Sequence, residues 1–341
     1  MRSFPHDVLL WLFRSITIPY SNYVLSLLLN CEPVSIKPAT KSTRVASDHS
    51  FDYTCAMSFE IQNYLSTRKD LVETVLFGCL PDANTPPANL SGAMRHAVLT
   101  GGKRLRPILC LAAAEAAGGK LEHALLPACT VELLHAYTLV HDDLPCMDND
   151  LLRRGQPTVH VKYGEAVAVL AGDALLTLAF EILARTPETR PGMTAQLVGE
   201  LAVAAGAAGV IAGQVDDIGF EGHETRDMIE SVFRHKTADL FRAAVRLGAL
   251  TANTDKIVLE KLSAFADGLG MAFQITDDLL DAAENKSEKA GELSCLCVMT
   301  ADAVREWAAQ NTESALAALQ GLPGPHLALA EIARALLSRQ Q

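Results

Sequence analysis

The chain has 341 residues, 49% of them hydrophobic, and a formal net charge of −11. It can bury a sizeable core, and it lacks the long basic stripe that a nucleic-acid surface requires. Its eight cysteines show no CxxC spacing, which argues against a disulfide framework or a zinc tetrad and for reduced, buried thiols.

The first 56 residues carry more basic than acidic side chains, and the remainder the reverse. Within them VLLWLF and YVLSLLL are separated by Arg14 and Pro19, and neither approaches the roughly 18 unbroken apolar residues of a membrane span. No stable membrane insertion is expected. Residues 1–56 read as an extension upstream of a start at Met57, with a targeting peptide as the alternative. The first reading places the protein in the cytoplasm, the second in an organelle.

Residues 57–341 read as one helical domain. ELLHAYTLVHDD, AVAVLAGDALLTLAFEIL, QLVGELAVAAGAAGVIAG and KLSAFADGLGMAFQITDDLL repeat apolar residues at intervals of three and four, and no strand alternation is of comparable strength. Pro127 is placed at a helix start, and Pro187 and Pro191 bracket a loop. The glycines of GAAGV and GLGMAF fall inside helical patterns, where they permit close helix contact. The predicted class is all-α, a single bundle of long helices.

Two acidic clusters stand out. In TDDLLD, Asp277, Asp278 and Asp281 are spaced by three and four, which lays the carboxylates along one side of a helix with no upstream base to relieve their repulsion. In DDLPCMDND, Asp142 and Asp148 are six apart and would diverge by about 240° on an unbroken helix. Pro145 between them ends or kinks the helix and can swing Asp148 back toward Asp142. Asp143 lies beside them, and His135 and Thr138 lie one or two turns upstream on the same polar stripe. Alone, the first cluster could be an acidic turn on a solvated helix face. Carboxylates without histidine or thiolate companions suit a hard ion, Mg²⁺ or Mn²⁺. Cations accompany them: Lys103, Arg104 and Arg106 in GGKRLRP, which lacks the spacing and strand of a P-loop, then Arg153, Arg154 and Lys236. Such groups fit diphosphates bridged to metal.

In order, GGKRLRP, the helix with His135, DDLPCMD with RRG, AGDALL, GQVDD, HKT and FQITDDLLD resemble the trans-isoprenyl diphosphate synthases of the polyprenyl synthetase family, most like the bacterial farnesyl and geranylgeranyl diphosphate synthases. The resemblance implies an isoprenoid-synthase-type helix bundle around a deep central cavity, as a homodimer. It implies transfer of an allylic group to isopentenyl diphosphate with three Mg²⁺ ions per site, held by Asp142, Asp143 and Asp148 on one wall and Asp277, Asp278 and Asp281 on the other. Arg153, Lys236, Thr237 and Gln274 match the allylic side, and Lys103, Arg106, His135 and Arg154 the isopentenyl side. Asp142, Asp143, Asp148, Arg153, Lys236 and Asp277 are the implied catalytic set, with Asp173 and Asp217 supporting it. Tyr137 and Thr138, five and four residues before Asp142, match the positions that limit product length, and the tyrosine points to C15 farnesyl diphosphate ahead of C20. The sequence departs from the family after Asp281, where the usual lysine-bearing loop is shortened and Lys286 or Lys289 is left to substitute, and at Leu151, where many relatives have an acid. A non-catalytic subunit of a heteromeric synthase and a class I terpene cyclase are the other classes considered.

Overall fold

A computed structural model describes residues 60–219, 225–283 and 293–338. The extension 1–56, Met57, and Lys286 and Lys289 lie outside the described residues.

The described chain is all-α, as the sequence predicts. Helices α1 (Ile61–Cys79), α2 (Ala88–Leu99) and α3 (Leu105–Ala116) lead to the long α4 (Leu121–Asp142). A two-residue hairpin pairs Arg153 with Gln156, and α5 (Val159–Tyr163), α6 (Glu165–Ala184), α7 (Met193–Ala205) and α8 (Val210–Ile218) follow. Then come α9 (Arg226–Val232), a π-helical segment (Phe233–Ala238), α10 (Asp239–Thr251), the 28-residue α11 (Lys256–Ala283), α12 (Ala301–Ala318) and α13 (Leu327–Ser338).

Helix α4 is apolar on nearly every side, so it is buried between α3, α6 and α10. At 1.5 Å per residue it runs about 33 Å, and α11 about 42 Å. Helix α11 packs on α10 and α12 through Leu262, Phe265, Ala266 and Leu269, all fully buried. Each long helix ends in one of the acidic clusters. The π-helical segment is gripped between α8 and α11: a Cβ on Gly213 would meet the Lys236 backbone at 2.2 Å, and one on Gly270 would meet Ala238 at 2.6 Å. Only glycine lets both helices close on the backbone that carries Lys236 and Thr237.

Two local expectations are corrected. Pro127 does not start its helix; α4 begins six residues earlier and continues across it. The GAAGV glycines do not lie inside a helix; α7 stops at Ala205 and α8 begins at Val210, because the backbone freedom of Gly206 and Gly209 lets both adopt non-helical geometry at the two helix ends. Helix α6 and the Met193–Ile218 stretch are long and apolar enough to cross a bilayer by length and composition alone. Helix α6 nevertheless buries Ala168, Ala171, Leu175, Ala179 and Leu183 against the rest of the fold.

Candidate active site

Asp142 is the last residue of α4, and the helix stops three residues before Pro145. The Asp148 N–H donates to the Asp142 carbonyl at 2.8 Å, and the Asn149 N–H to the Leu144 carbonyl at 3.1 Å, with Asn149 left-handed (φ 54°). This turn returns Asp148 to Asp142. Burial, with the charges of Asp148 and Asp143, holds the Asp142 carboxyl up at about 7, against the pull of Lys236 and Arg153. Asp143 is turned differently: it is buried, and its carboxylate accepts from Arg153 Nε at 2.6 Å and lies 2.5 Å from Arg153 Nη2. Arg153 also reaches Asp150 at 3.4 Å.

From the opposite side the π-helical segment presents Lys236, whose Nζ lies 2.5 Å from Asp217 Oδ2 on α8. Burial works against that ammonium, but Asp217, Asp142 and Asp148 outweigh it and hold the lysine charged. The next residue, Thr237, donates to Gln274 Oε1 at 2.9 Å, and Gln274 Nε2 donates to Asp278 Oδ1 at 3.3 Å.

The second cluster does not turn three carboxylates the same way. Asp277 is half-buried and Asp281 exposed, whereas Asp278 is buried. Its Oδ2 accepts from the Cys295 N–H at 2.8 Å and from Ser294 Oγ at 3.2 Å. Neighbouring helix positions differ by about 100°, so Asp278 faces the segment that follows residue 292.

The cationic wall is built on α3 and α4. Arg106 Nη1 lies 3.3 Å from His135 Nε2, and its guanidinium sits 4.8 Å over the Phe241 ring. Burial brings Arg106 down to about 10, with Arg154 adding to the fall while Glu132 and Asp277 oppose it. Its buried Nε has no hydrogen-bond partner among the described residues. Burial, with Arg106, Arg154, Arg153 and Arg104, holds His135 well below the usual histidine range, so the ring is neutral at pH 7. Lys103 is exposed on the loop before α3, and Arg154, left-handed at φ 53°, donates to the Gly101 carbonyl. Below the first cluster Tyr137 is 6% exposed, meets His141 edge-on at 5.7 Å, and is pushed up to about 12 by burial and Asp142. Thr138 Oγ1 donates to the His135 carbonyl at 2.8 Å. Asp173 stands apart, exposed on α6 beside an apolar groove.

One buried charge at the cationic wall escaped motif reading, Glu132, and it takes Arg104, grouped by sequence with the diphosphate-facing cations, into a buried pair at 2.7 Å. A lone acid inside the apolar helix, three residues before His135, was the available signal.

A family model described as polyprenyl synthetase matches residues 87–295, more than half of the chain. The chain belongs to the polyprenyl synthetase family. This polyprenyl synthetase chain is 45% identical over 238 residues to the heterodimeric geranylgeranyl pyrophosphate synthase large subunit 1, chloroplastic, of Arabidopsis thaliana, covering 68% of this chain and 64% of that protein. The match thus spans less than two thirds of that relative. It is 43% identical over 235 residues to the farnesyl diphosphate synthase of Geobacillus stearothermophilus, covering 68% of this chain and 78% of the relative. Among solved structures, an FPP/GFPP synthase from Zymomonas mobilis superposes with a TM-score of 0.73 at 34% identity, covering 82% of this chain and all of that one.

Proposed function

We propose that the chain is a short-chain trans-prenyltransferase that joins isopentenyl diphosphate to dimethylallyl or geranyl diphosphate and delivers farnesyl diphosphate. The strongest support is the turn that brings Asp148 back to Asp142 at the end of α4, with Lys236 near enough to feel both charges and Arg106 that of Asp277. The donor chemistry fits Mg²⁺ or Mn²⁺: Asp142 is kept costly to ionise by burial and then by the neighbouring Asp148, and the donors are oxygens without histidine or thiolate. Among the described residues no group of three or more His, Cys, Asp or Glu is placed to hold an ion by itself, so the ion would need oxygens from substrate and water as well. Asp142 and Asp148 would hold metal on one wall, and Asp277 with Asp281 on the other. Asp143 and Asp278 fit better as the groups that orient Arg153 and Cys295. When bound, the metal would supply positive charge to the allylic diphosphate.

In this reading Lys236 and Arg153 receive the leaving diphosphate, aimed by Asp217 and Asp143, and stabilise the charge that develops as the allylic C–O bond breaks. Lys103, Arg106, His135 and Arg154 hold isopentenyl diphosphate so that its double bond faces the allylic carbocation. The apolar helices exclude water from the cation, and a proton passes to the departing diphosphate. Tyr137 forms the floor that stops growth at C15.

The names of the plant relatives favour a second reading, a C20 product made with a partner subunit. Incubation with isopentenyl diphosphate, Mg²⁺ and dimethylallyl or geranyl diphosphate separates the readings. Farnesyl diphosphate supports the first, geranylgeranyl diphosphate the second. Turnover only on adding a partner indicates a subunit, and hydrocarbons or alcohols a cyclase. A homodimer is supported by the exposed apolar residues Leu170, Val203, Val215 and Ile218, 55–71% accessible on α6 to α8, which a second copy would cover. Cytoplasmic residence follows if residues 1–56 are an upstream extension. The chloroplastic names of plant relatives favour targeting, and localisation of a fluorescent fusion decides between them.

A further inference from the structure

Arg104 is the left-handed residue (φ 53°) that opens α3, and its side chain is 2% exposed. Its guanidinium is held by three helices: Nη1 donates to Glu132 Oε1 of α4 at 2.7 Å, Nη2 to the Val98 carbonyl of α2 at 2.6 Å, and Nε to Glu73 Oε1 of α1 at 3.4 Å. Glu132 is itself only 3% exposed. Taking two charges out of water is expensive, and apolar residues of similar volume commonly replace such a pair without loss of stability. Stability alone therefore does not account for it.

Its position does. Arg104 lies between Lys103 and Arg106, and the same loop offers the Gly101 carbonyl to Arg154. Glu132 is one helical turn before His135 on α4, where its charge also steadies the protonated Arg106. Lys103 stands on the loop, Arg106 in the first turn of α3 that the loop leads into, His135 on α4, and Arg154 is tied to the loop through Gly101, so the Arg104–Glu132 pair joins the supports of all four. A guanidinium fork fixes the distance and the plane between its partners, which a lysine would not.

We propose that Arg104 and Glu132 are positioning residues that lock the 101–104 loop onto α4, so that Lys103, Arg106, His135 and Arg154 form a preset pocket for the diphosphate of the isopentenyl substrate. The proposal rests on the function given above. Neither residue touches substrate; both act through the four that do.

The test compares the full chain with the apolar double variant Arg104→Met/Glu132→Leu and with Arg104→Lys. Readouts are thermal midpoint, calorimetric binding of isopentenyl diphosphate, and KM for each substrate. Displacing the pocket by an ångström is expected to raise KM for isopentenyl diphosphate about ten- to a hundredfold in the double variant, and weaken its binding in parallel. KM for geranyl diphosphate should stay within about twofold and the midpoint near wild type, since the apolar pair fills the same volume. Arg104→Lys, which keeps the charge and gives up the fork, should raise KM for isopentenyl diphosphate about threefold or more, and it carries the test if the double variant does not fold. Unchanged KM for isopentenyl diphosphate, or an equal rise in both KM values, overturns the positioning role while the proposed function stands. A wild-type chain that neither binds nor consumes isopentenyl diphosphate overturns that function, and the pair's role with it.

Discussion

Replacing Asp142 by asparagine should make the metal-free protein more stable while removing its activity. Asp142 titrates near 7 against an ordinary 3.8 because burial and the neighbouring Asp148 and Asp143 oppose its charge. That gap corresponds to about 4 kcal/mol as a ceiling on what ionising it costs the folded state. Solvent reaching the half-buried site reduces this to about 1–2 kcal/mol, or about 2–6 °C in thermal midpoint for a chain of this size. Asparagine has nearly the same shape and no charge, and Lys236 keeps Asp217 as its partner at 2.5 Å. The folded acid is the easier one to protonate, so the wild type loses stability as pH climbs from about 4, where the unfolded acid ionises, to about 7, and bears the full cost above that. The assay is a thermal melt in EDTA at pH 8 and pH 4: Asp142→Asn should melt higher at pH 8, and the difference should fade toward pH 4. Adding Mg²⁺ with inorganic pyrophosphate should stabilise the wild type and barely affect the variant. A variant that is no more stable than wild type at pH 8, or a gain that does not depend on pH, refutes the electrostatic argument.

Lys236→Gln should lower kcat about a hundredfold or more by removing a cation from the leaving group, and Asp217→Asn should lower it less by releasing that cation from its aim; steady-state kinetics check both. Asp277→Asn should raise the Mg²⁺ concentration needed for half-maximal activity at least about tenfold, while Asp278→Asn should leave that requirement nearly unchanged and instead lower the thermal midpoint through the lost Cys295 anchor. Equal metal dependence in the two variants would contradict the different orientations of these carboxylates. Tyr137→Ala should lengthen the product, read by chromatography of dephosphorylated prenols, because removing a buried ring opens space below the first cluster.

What the sequence reveals follows the range over which each interaction acts. Asp277 and Asp281 are legible because helical period alone puts them on one side, and Asp148 is legible because Pro145 forces α4 to end nearby. Asp278 is not, because its partner Cys295 arrives from 17 residues further on, and no local spacing says which face of α11 that later segment covers. The Arg104–Glu132 contact joins residues 28 apart in sequence, and it too leaves no periodic trace. Pro127 misled because proline is favoured at helix starts, whereas here it lies in the second turn of α4 with both flanks already buried. The π-helical register that carries Lys236 is set by Gly213 and Gly270 closing on it from two other helices, so a reading of HKT alone yields the residues without their direction.

The proposed reaction requires metal held between the two acidic helix ends. Its most direct measurement is anomalous scattering from crystals grown with Mn²⁺ and an unreactive allylic thiodiphosphate. Manganese is expected between the diphosphate and Asp142 with Asp148, and a further ion between the same diphosphate and Asp277. Diphosphate bound at the cationic residues with no metal at either cluster, or metal on only one of them, would contradict it.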